Sequence, residues 1–398
     1  MKGGWRLVAA LSLAQLVSWG SIYYSFSLFV VPMERELGWS RTQLNGALSA
    51  GLLVAGLAGY WVGAWIDRGG GRVVMSLGSV LAAVLLAAWS RVASLELFYL
   101  LWLAIGLSLA ATLYEPVFAV ITRLYPRSYG TRITVLTLVG GLASTVFIPL
   151  TQVLVEALGW RPALVVLAAC NVAICLPIHV LGLSDPAIRE EAAPRTARAP
   201  GGDEPFRRAL RHPVFWALAL SFTFYTAILS ALTFHLIPLL TERGVPTATM
   251  LAAIATFGPS QVAGRLVLLA LRRQATAAFA GRCAFIAYPA AVAILLFLPA
   301  STLALFAFSM LFGAANGVLT IVRGIAVPEL MWREGYGAIN GALTLPVNIA
   351  RGLAPYGAAV IWSAAGNYDA VLWAAILCGI IATAGFWYAS WPGAAKNR

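Results

Sequence analysis

Lysine is almost missing from this chain: among 398 residues it occurs only at Lys2 and Lys396. Without an internal lysine no GxxxxGK[ST] phosphate loop can be built, so the chain holds no ATP-driven pump site. The same lack excludes a retinal protein that depends on a Schiff-base lysine. Charge of either sign is scarce, 11% against about 25% in an ordinary soluble domain. The four cysteines (Cys170, Cys175, Cys283 and Cys378) all lie in apolar runs and form no CxxC pair, so they read as small packing residues. HExxH, GxSxG and a paired intramembrane aspartate are also absent, which argues against an intramembrane enzyme.

What fills the chain instead is apolar sequence, 61% of it, with a mean hydropathy of +0.84. Long apolar stretches lie near 7–32, 43–66, 73–90, 96–122, 132–157, 162–183, 213–240, 248–271, 279–298, 302–327, 338–363 and 369–391. Each is long enough, or nearly so, for a helix to cross a hydrocarbon core of about 30 Å. Glycine and proline are scattered through them, which transmembrane helices tolerate and soluble helices do not. The reading is an all-α membrane protein with twelve transmembrane helices.

The net charge of +12 could suggest a nucleic-acid partner, but its placement speaks for a bilayer. With the N-terminus inside, the inner loops and tails hold 19 of the 27 Lys and Arg residues. The outer side holds five (Arg35, Arg41, Arg91, Arg161, Arg243), and Arg265, Arg323 and Arg351 remain within segments. This is the positive-inside asymmetry, and it places both termini in the cytoplasm. The first apolar run is too long for a cleavable signal peptide and lacks a small-residue cleavage site.

The one long polar stretch between segments, "SDPAIREEAAPRTARAPGGDEPFRRALRHP", reads as a solvated linker. Taken as 185–212, it separates six segments in 1–184 from six in 213–398. The two sides repeat one another. "FVVPMERELG" at 29–38 matches "HLIPLLTERG" at 235–244, an offset of 206. At an offset of 207, Gly106 matches Gly313, Tyr129-Gly130 matches Tyr336-Gly337, and Gly159 matches Gly366. Several matches in order at a near-constant offset mean a duplicated six-helix unit, the design of carriers with two pseudo-symmetric bundles.

"GAWIDRGGGR", 63–72, follows the second segment. A glycine, an Asp-Arg four residues on, then glycine and a basic residue resembles the signature of the major facilitator superfamily. Gly63 ends a small face with Gly56 and Gly59 that lets two helices approach. Asp67 can accept from a helix N-terminus and a neighbouring arginine, so Gly63, Asp67, Arg68 and Arg72 form a candidate cytoplasmic gate. Gly71 departs from the pattern, standing where the family usually has a second basic residue.

A narrower resemblance covers much of the chain. "YYSFSLFVVPMERELGWSRTQL", "YEPVFAVITRLYPRSYG" and "RHPVFWALALSF" are similar to bacterial relatives of monocarboxylate porters and oxalate–formate antiporters. That resemblance implies an inner-membrane location. It also implies a helix 8 in which an acidic or amide residue precedes, by four, an arginine that binds substrate carboxylate. Here the pair is Gln261 and Arg265. Two departures bear on coupling: the first helix lacks the acidic–Gly–aromatic motif of monocarboxylate porters, and Gln261 replaces a potential proton carrier.

Four ionisable residues lie deep in segments: Glu115, Arg265, Arg323 and Arg351. Ser108, Thr112 and Glu115 follow i, i+4, i+7, as do Asn316, Thr320 and Arg323, and Thr344, Asn348 and Arg351. Such spacing puts each set on one helix face. A polar stripe cannot face lipid, and in the superfamily helices 4, 8, 10 and 11 line or border the central cavity. Each arginine also has a structural reading as a carbonyl cap or a snorkelling cation, Arg323 above all because it lies near its helix end. If all four are ionised they sum to +2, which an anionic ligand would offset, and guanidinium matches carboxylate bidentately. Glu115 is the candidate coupling acid. His235 reads equally as a proton carrier or a packing residue. Tyr23, with Trp19 and Gln15, forms a candidate cavity face on helix 1.

The expectation is therefore a monomeric secondary transporter working by rocker-switch alternating access, without cofactor or metal, in contact with lipid, protons and a small anionic substrate. An exporter of amphipathic metabolites or drugs is the alternative carrier. A membrane sensor that binds without transporting is the alternative of a different class.

Overall fold

Proline and glycine decide where the helices begin, bend and end in the computed structural model of this chain. It describes residues 2–183, 204–271, 274, 276–299 and 301–392. Of the linker expected at 185–212, residues 185–203 lie outside the described residues, as do Arg272, Arg273, Lys396 and Arg398.

Helix α1 (Lys2–Ser18) runs through a π-helical stretch (Trp19–Tyr24) into α2 (Phe26–Leu37). Helices α3 (Arg41–Trp65) and α4 (Gly71–Trp89) are separate because Gly69 between them takes φ 97°, which ends a helix and suits only glycine. One span is broken at Leu113 into α5 (Leu95–Thr112) and α6 (Tyr114–Leu124). The next is broken at Gly141 and Leu142 into α7 (Tyr129–Gly140) and α8 (Ala143–Leu158). Helix α9 (Trp160–Cys170) continues through π-helical turns at Asn171–Cys175 and Ile178–Gly182. The short α10 (Glu204–Arg211) leads into α11 (Pro213–Glu242), then α12 (Thr247–Ala255) with α13 (Phe257–Leu271). Helices α14 (Ala277–Phe297), α15 (Thr302–Leu330), α16 (Tyr336–Ala365) and α17 (Asp369–Ala389) complete the chain.

Among the described residues ten apolar helical stretches are long enough to cross a bilayer; Arg41–Trp89 among them is two helices, and the 30-residue α16 brings the spans to twelve. Their outward faces carry Leu57, Val84, Leu100, Val267, Leu303 and Trp373, each more than half exposed. In water such a surface would drive aggregation, whereas in lipid it is the expected exterior.

Contacts group the residues into two compact units, one of Met1–Phe206 with Glu334–Leu345 and one of Arg207–Arg333 with Pro346–Arg398. Inside the first, Trp89 packs against Phe29, Phe98 and Trp102. Inside the second, Phe285 packs against Phe222 and Phe386. The sequence repeat has local counterparts in both. A Cβ on Gly106 would lie 2.3 Å from the Gly51 carbonyl oxygen, and one on Gly313 would lie 2.7 Å from that of Phe257. Each glycine thus permits the same backbone-to-backbone approach, α5 on α3 and α15 on α13. The matched Gly38 and Gly244 are both left-handed, with φ 71° and 70°.

Three internal prolines share one consequence. A proline at i has no N–H for the carbonyl at i−4, and lipid offers no substitute. Pro116 frees Thr112, whose oxygen accepts from Gln15 Nε2 at 2.6 Å. Pro289 frees Phe285, whose oxygen accepts from Thr383 Oγ1 at 2.7 Å. Pro355 frees Arg351, whose oxygen accepts from Ser230 Oγ at 2.6 Å. In each case a polar side chain on another helix replaces the missing backbone donor. Ser230→Ala should therefore lower unfolding free energy in detergent by about 1–3 kcal/mol. In a Pro355→Ala background, where the backbone donor returns, the same change should cost clearly less. Equal costs in the two backgrounds would show that Ser230 does not replace that donor.

Candidate functional site

An arginine persists in an apolar helix only where its guanidinium finds polar atoms. In the second unit, glycine makes those atoms reachable. A Cβ on Gly264 would sit 2.4 Å from the Ala314 carbonyl oxygen, and one on Gly317 would sit 2.3 Å from that of Gln261. Across this close seam Arg265, 3% exposed, brings Nε to 3.4 Å from the Gly317 carbonyl oxygen and Nη2 to 3.4 Å from Gln261 Oε1. The i, i+4 pair of the sequence is thus in contact. Arg323 on α15 lies 5.7 Å from the ring centre of Phe222. Asn316, one stripe with it, is buried, and Thr320 Oγ1 donates to its backbone carbonyl. On α16, Asn348 is buried and Arg351 is half-buried.

These separate stripes meet at a residue to which the spacing argument gave no binding role. Tyr225 of α11 is buried, its hydroxyl donates to Asn316 Oδ1, and its phenol interacts with the charges of Arg351, Arg265 and Arg323. A signal was available: a phenol in the middle of a spanning helix must find a polar partner for its hydroxyl. His235, also on α11, holds the Pro355 carbonyl oxygen with Nε2 at 2.9 Å and the Tyr368 hydroxyl with Nδ1 at 3.1 Å. A carbonyl only accepts, so Nε2 donates to Pro355 while Nδ1 shares a hydrogen bond with the phenol. This is the arrangement of a brace at the Pro355 kink.

In the first unit, the stripe expected to join Ser108, Thr112 and Glu115 is interrupted. Leu113 takes φ −79° and ψ −156°, so the helix restarts and the phase is lost. Ser108 Oγ donates to the Gly78 carbonyl at 3.0 Å and Thr112 Oγ1 to that of Ser108 at 2.8 Å, both fully buried. Glu115, half-buried, stands in the first turn of α6, where a negative charge complements the helix dipole. Pro116 is the physical cause, since α6 cannot continue the ladder of α5. Gln15 is fully buried with its amide on Thr112, and Tyr23 is half-buried with its ring 5.3 Å from that of Trp19.

The glycine-aspartate motif forms a capped seam. A Cβ on Gly63 would lie 1.8 Å from the Gly337 carbonyl oxygen, and one on Gly341 would lie 1.9 Å from that of Gly59. Helix α3 therefore touches the start of α16 backbone to backbone over one full turn of each. Asp67 accepts from Gly337 N and Ala338 N, both at 2.9 Å, so its two carboxylate oxygens cap the α16 N-terminus. Arg123, from the end of α6, donates to the carbonyls of Ile66 and Asp67. Arg68 and Arg72 are exposed, and Arg68 lines an open pocket of about 730 Å³ with Tyr60, Trp61 and Trp65. Asp67 itself lies in the turn between two spanning helices. Burial pushes its carboxyl up to about 6, against the pull of the two N–H groups and Arg123.

No group of three or more His, Cys, Asp or Glu side chains that could hold a metal ion occurs among the described residues. Twelve apolar helices, a duplicated unit, a capped glycine seam and arginines held inside the helices define a multi-pass membrane transporter. The Major Facilitator Superfamily model matches residues 11–355, and the chain belongs to that superfamily of transporters. No curated protein sequence matches it. Among solved structures it is similar to a variant of the E. coli fucose:proton symporter FucP, at TM-score 0.74 and 16% identity over 96% of this chain and 98% of that one. It is also similar to the human organic anion transporter MFSD10 (TETRAN), at 0.62 and 18% over 96% of each chain. A third is the proton:xylose symporter XylE bound to 6-bromo-6-deoxy-D-glucose, at 0.67 and 12%, over 96% of this chain and 94% of that one.

The cap can be read by hydrogen exchange at Gly337 and Ala338. Asp67→Ala removes both acceptors from the Gly337 and Ala338 N–H groups, so exchange there should rise about tenfold or more. The pH dependence has a definite sign. The capped carboxyl binds its proton more tightly than a solvated one, so acid favours the capped arrangement. After correction for intrinsic rates, protection should be greatest below the ordinary aspartate value of 3.8 and fall as pH rises through about 6. Rates indifferent to the substitution would remove Asp67 as the cap.

Proposed function

We propose that this chain is a secondary transporter of a small organic anion, a carboxylate, moved by proton symport or exchange through rocker-switch alternating access. The observation that carries the reading is three arginines, Arg265, Arg323 and Arg351, set in one unit and near enough for their charges to act on the buried phenol of Tyr225. Three like charges near one point in a spanning region repel one another, and an anion among them lowers that energy. A guanidinium fork also fits a carboxylate geometrically, which a chloride or a neutral solute does not exploit. The resemblance of three sequence stretches to bacterial monocarboxylate porters and oxalate–formate antiporters points the same way. The solved neighbours do not decide between sugar and anion, because at such identities they speak for the fold alone. The bundles 1–184 and 213–398, with both termini in the cytoplasm, are the moving halves in this reading, and Asp67 latches the inner side.

Glu115 is the coupling acid in this scheme. Its place at a helix restart lets it gain and lose a proton without disturbing a continuous backbone ladder. In proteoliposomes with an imposed proton gradient, Glu115→Gln should abolish accumulation of the anion while one-for-one exchange continues. Accumulation with the pH dependence of the unmodified protein would take Glu115 out of the coupling step.

Arg265 is the principal anion ligand. Arg265→Lys keeps the charge but removes the planar fork, so affinity for the transported carboxylate should fall by at least about tenfold. Arg351→Lys should be milder. The measurements are counterflow and binding with a panel of labelled carboxylates, on protein that elutes as a folded, detergent-soluble species. Full affinity in Arg265→Lys would make that arginine structural.

A further inference from the structure

Gln15 and Trp19 stand one helical turn apart in the first span, and each keeps one buried polar atom that no described residue satisfies. Gln15 is fully buried, and its Nε2 donates to the Thr112 carbonyl oxygen at 2.6 Å. Pro116 has removed the backbone donor from that carbonyl, which fixes the amide's orientation, since the reverse setting would face one oxygen with another. Oε1 is therefore directed elsewhere, buried and without a donor among the described residues. Trp19 Nε1 is likewise buried and without an acceptor. Spacing i, i+4 places the two side chains on one helix face, one with an acceptor left over and one with a donor.

Aromatic rings enclose this pair. Trp19 lies 5.1 Å from Tyr114, 5.3 Å from Tyr23 and 5.9 Å from Tyr24, and Phe118 stacks on Tyr114 at 5.3 Å with an 8° tilt. Gly140 keeps the enclosure open, since a Cβ there would lie 2.8 Å from the Tyr114 hydroxyl and 3.3 Å from Gln15 Cβ. Buried polar groups in stable folds are almost always paired, so a donor and an acceptor left over on one helix face call for a ligand group that can do both.

We propose that this cluster is a subsite for an aliphatic hydroxyl group on the transported molecule. A hydroxyl oxygen accepts the Trp19 N–H while its hydrogen goes to Gln15 Oε1. A carboxylate has no hydrogen for Gln15, and an ammonium has no lone pair for Trp19. The surrounding rings suit the C–H face of the carbon that bears the hydroxyl. Combined with the carboxylate reading, on which this extension rests, the substrate class narrows to hydroxy acids.

The test is a panel of matched ligands on the full-length protein in detergent, with binding measured calorimetrically. Acids are paired as lactate with propionate and gluconate with hexanoate, and a hexose is paired with its deoxy derivatives as neutral probes. The hydroxylated member should bind about tenfold or more tightly than its partner. Trp19→Phe, which keeps an aromatic ring but removes the N–H along with part of the indole, should narrow that gap to about threefold or less. Acids that bind equally well with and without the hydroxyl would overturn the subsite and leave the anion reading standing. Neutral hydroxylated probes that bind while all acids fail would overturn the anion reading and support the subsite. A gap that persists unchanged in Trp19→Phe, or no binding by any hydroxylated probe, would overturn the subsite as well.

Discussion

Inside a bilayer a backbone carbonyl that its own helix fails to satisfy has no water to turn to, and much of this structure follows from that constraint. Pro116, Pro289 and Pro355 each free one carbonyl, and Gln15, Thr383 and Ser230 each supply the missing donor from another helix. Each of these three prolines is thus one half of a tertiary contact. The polar residue that completes it is explained by the kink before any role in ligand binding is considered.

The same contacts position the candidate site. Ser230 holds the backbone of Arg351, so the arginine's side chain is placed by a hydrogen bond to its own carbonyl. Pro116 interrupts the fourth span, which starts a new helix at Tyr114 and puts Glu115 in its first turn. It also fixes the Gln15 amide and so decides which of its two polar atoms is left over. Chemistry-bearing residues gather where the ladders are broken because polar partners are already required there.

Glycine acts in the opposite sense, by bringing intact ladders together. Gly59 and Gly63 let α3 meet Gly341 and Gly337 at backbone distance, and this approach delivers the α16 N-terminus to Asp67. Gly264 and Gly317 do the same for α13 and α15, which brings the Gly317 carbonyl within reach of Arg265. In both places a charged side chain completes a seam that the absence of a Cβ made possible.

The sequence by itself determined the class and the topology. Apolar run length, the positions of Gly69 and the loop glycines, and the offset of about 206 between halves each report on a local backbone requirement, and such requirements are written residue by residue. It also marked Arg265 with Gln261, and Asp67 with Gly63, because i, i+4 neighbours on one helix are legible from spacing alone. Only the tertiary structure decided which helices supply the partners. Tyr225 within reach of the charges of three arginines, Arg123 donating to the carbonyls of Ile66 and Asp67, and the loss of phase between Ser108, Thr112 and Glu115 all depend on contacts between distant segments or on a break in the helix. Helical spacing assumes an unbroken helix and is silent on what lies across from it. A proline at 116 and a glycine at 317 changed both, one by ending the phase and the other by letting a neighbouring backbone come close enough to bond.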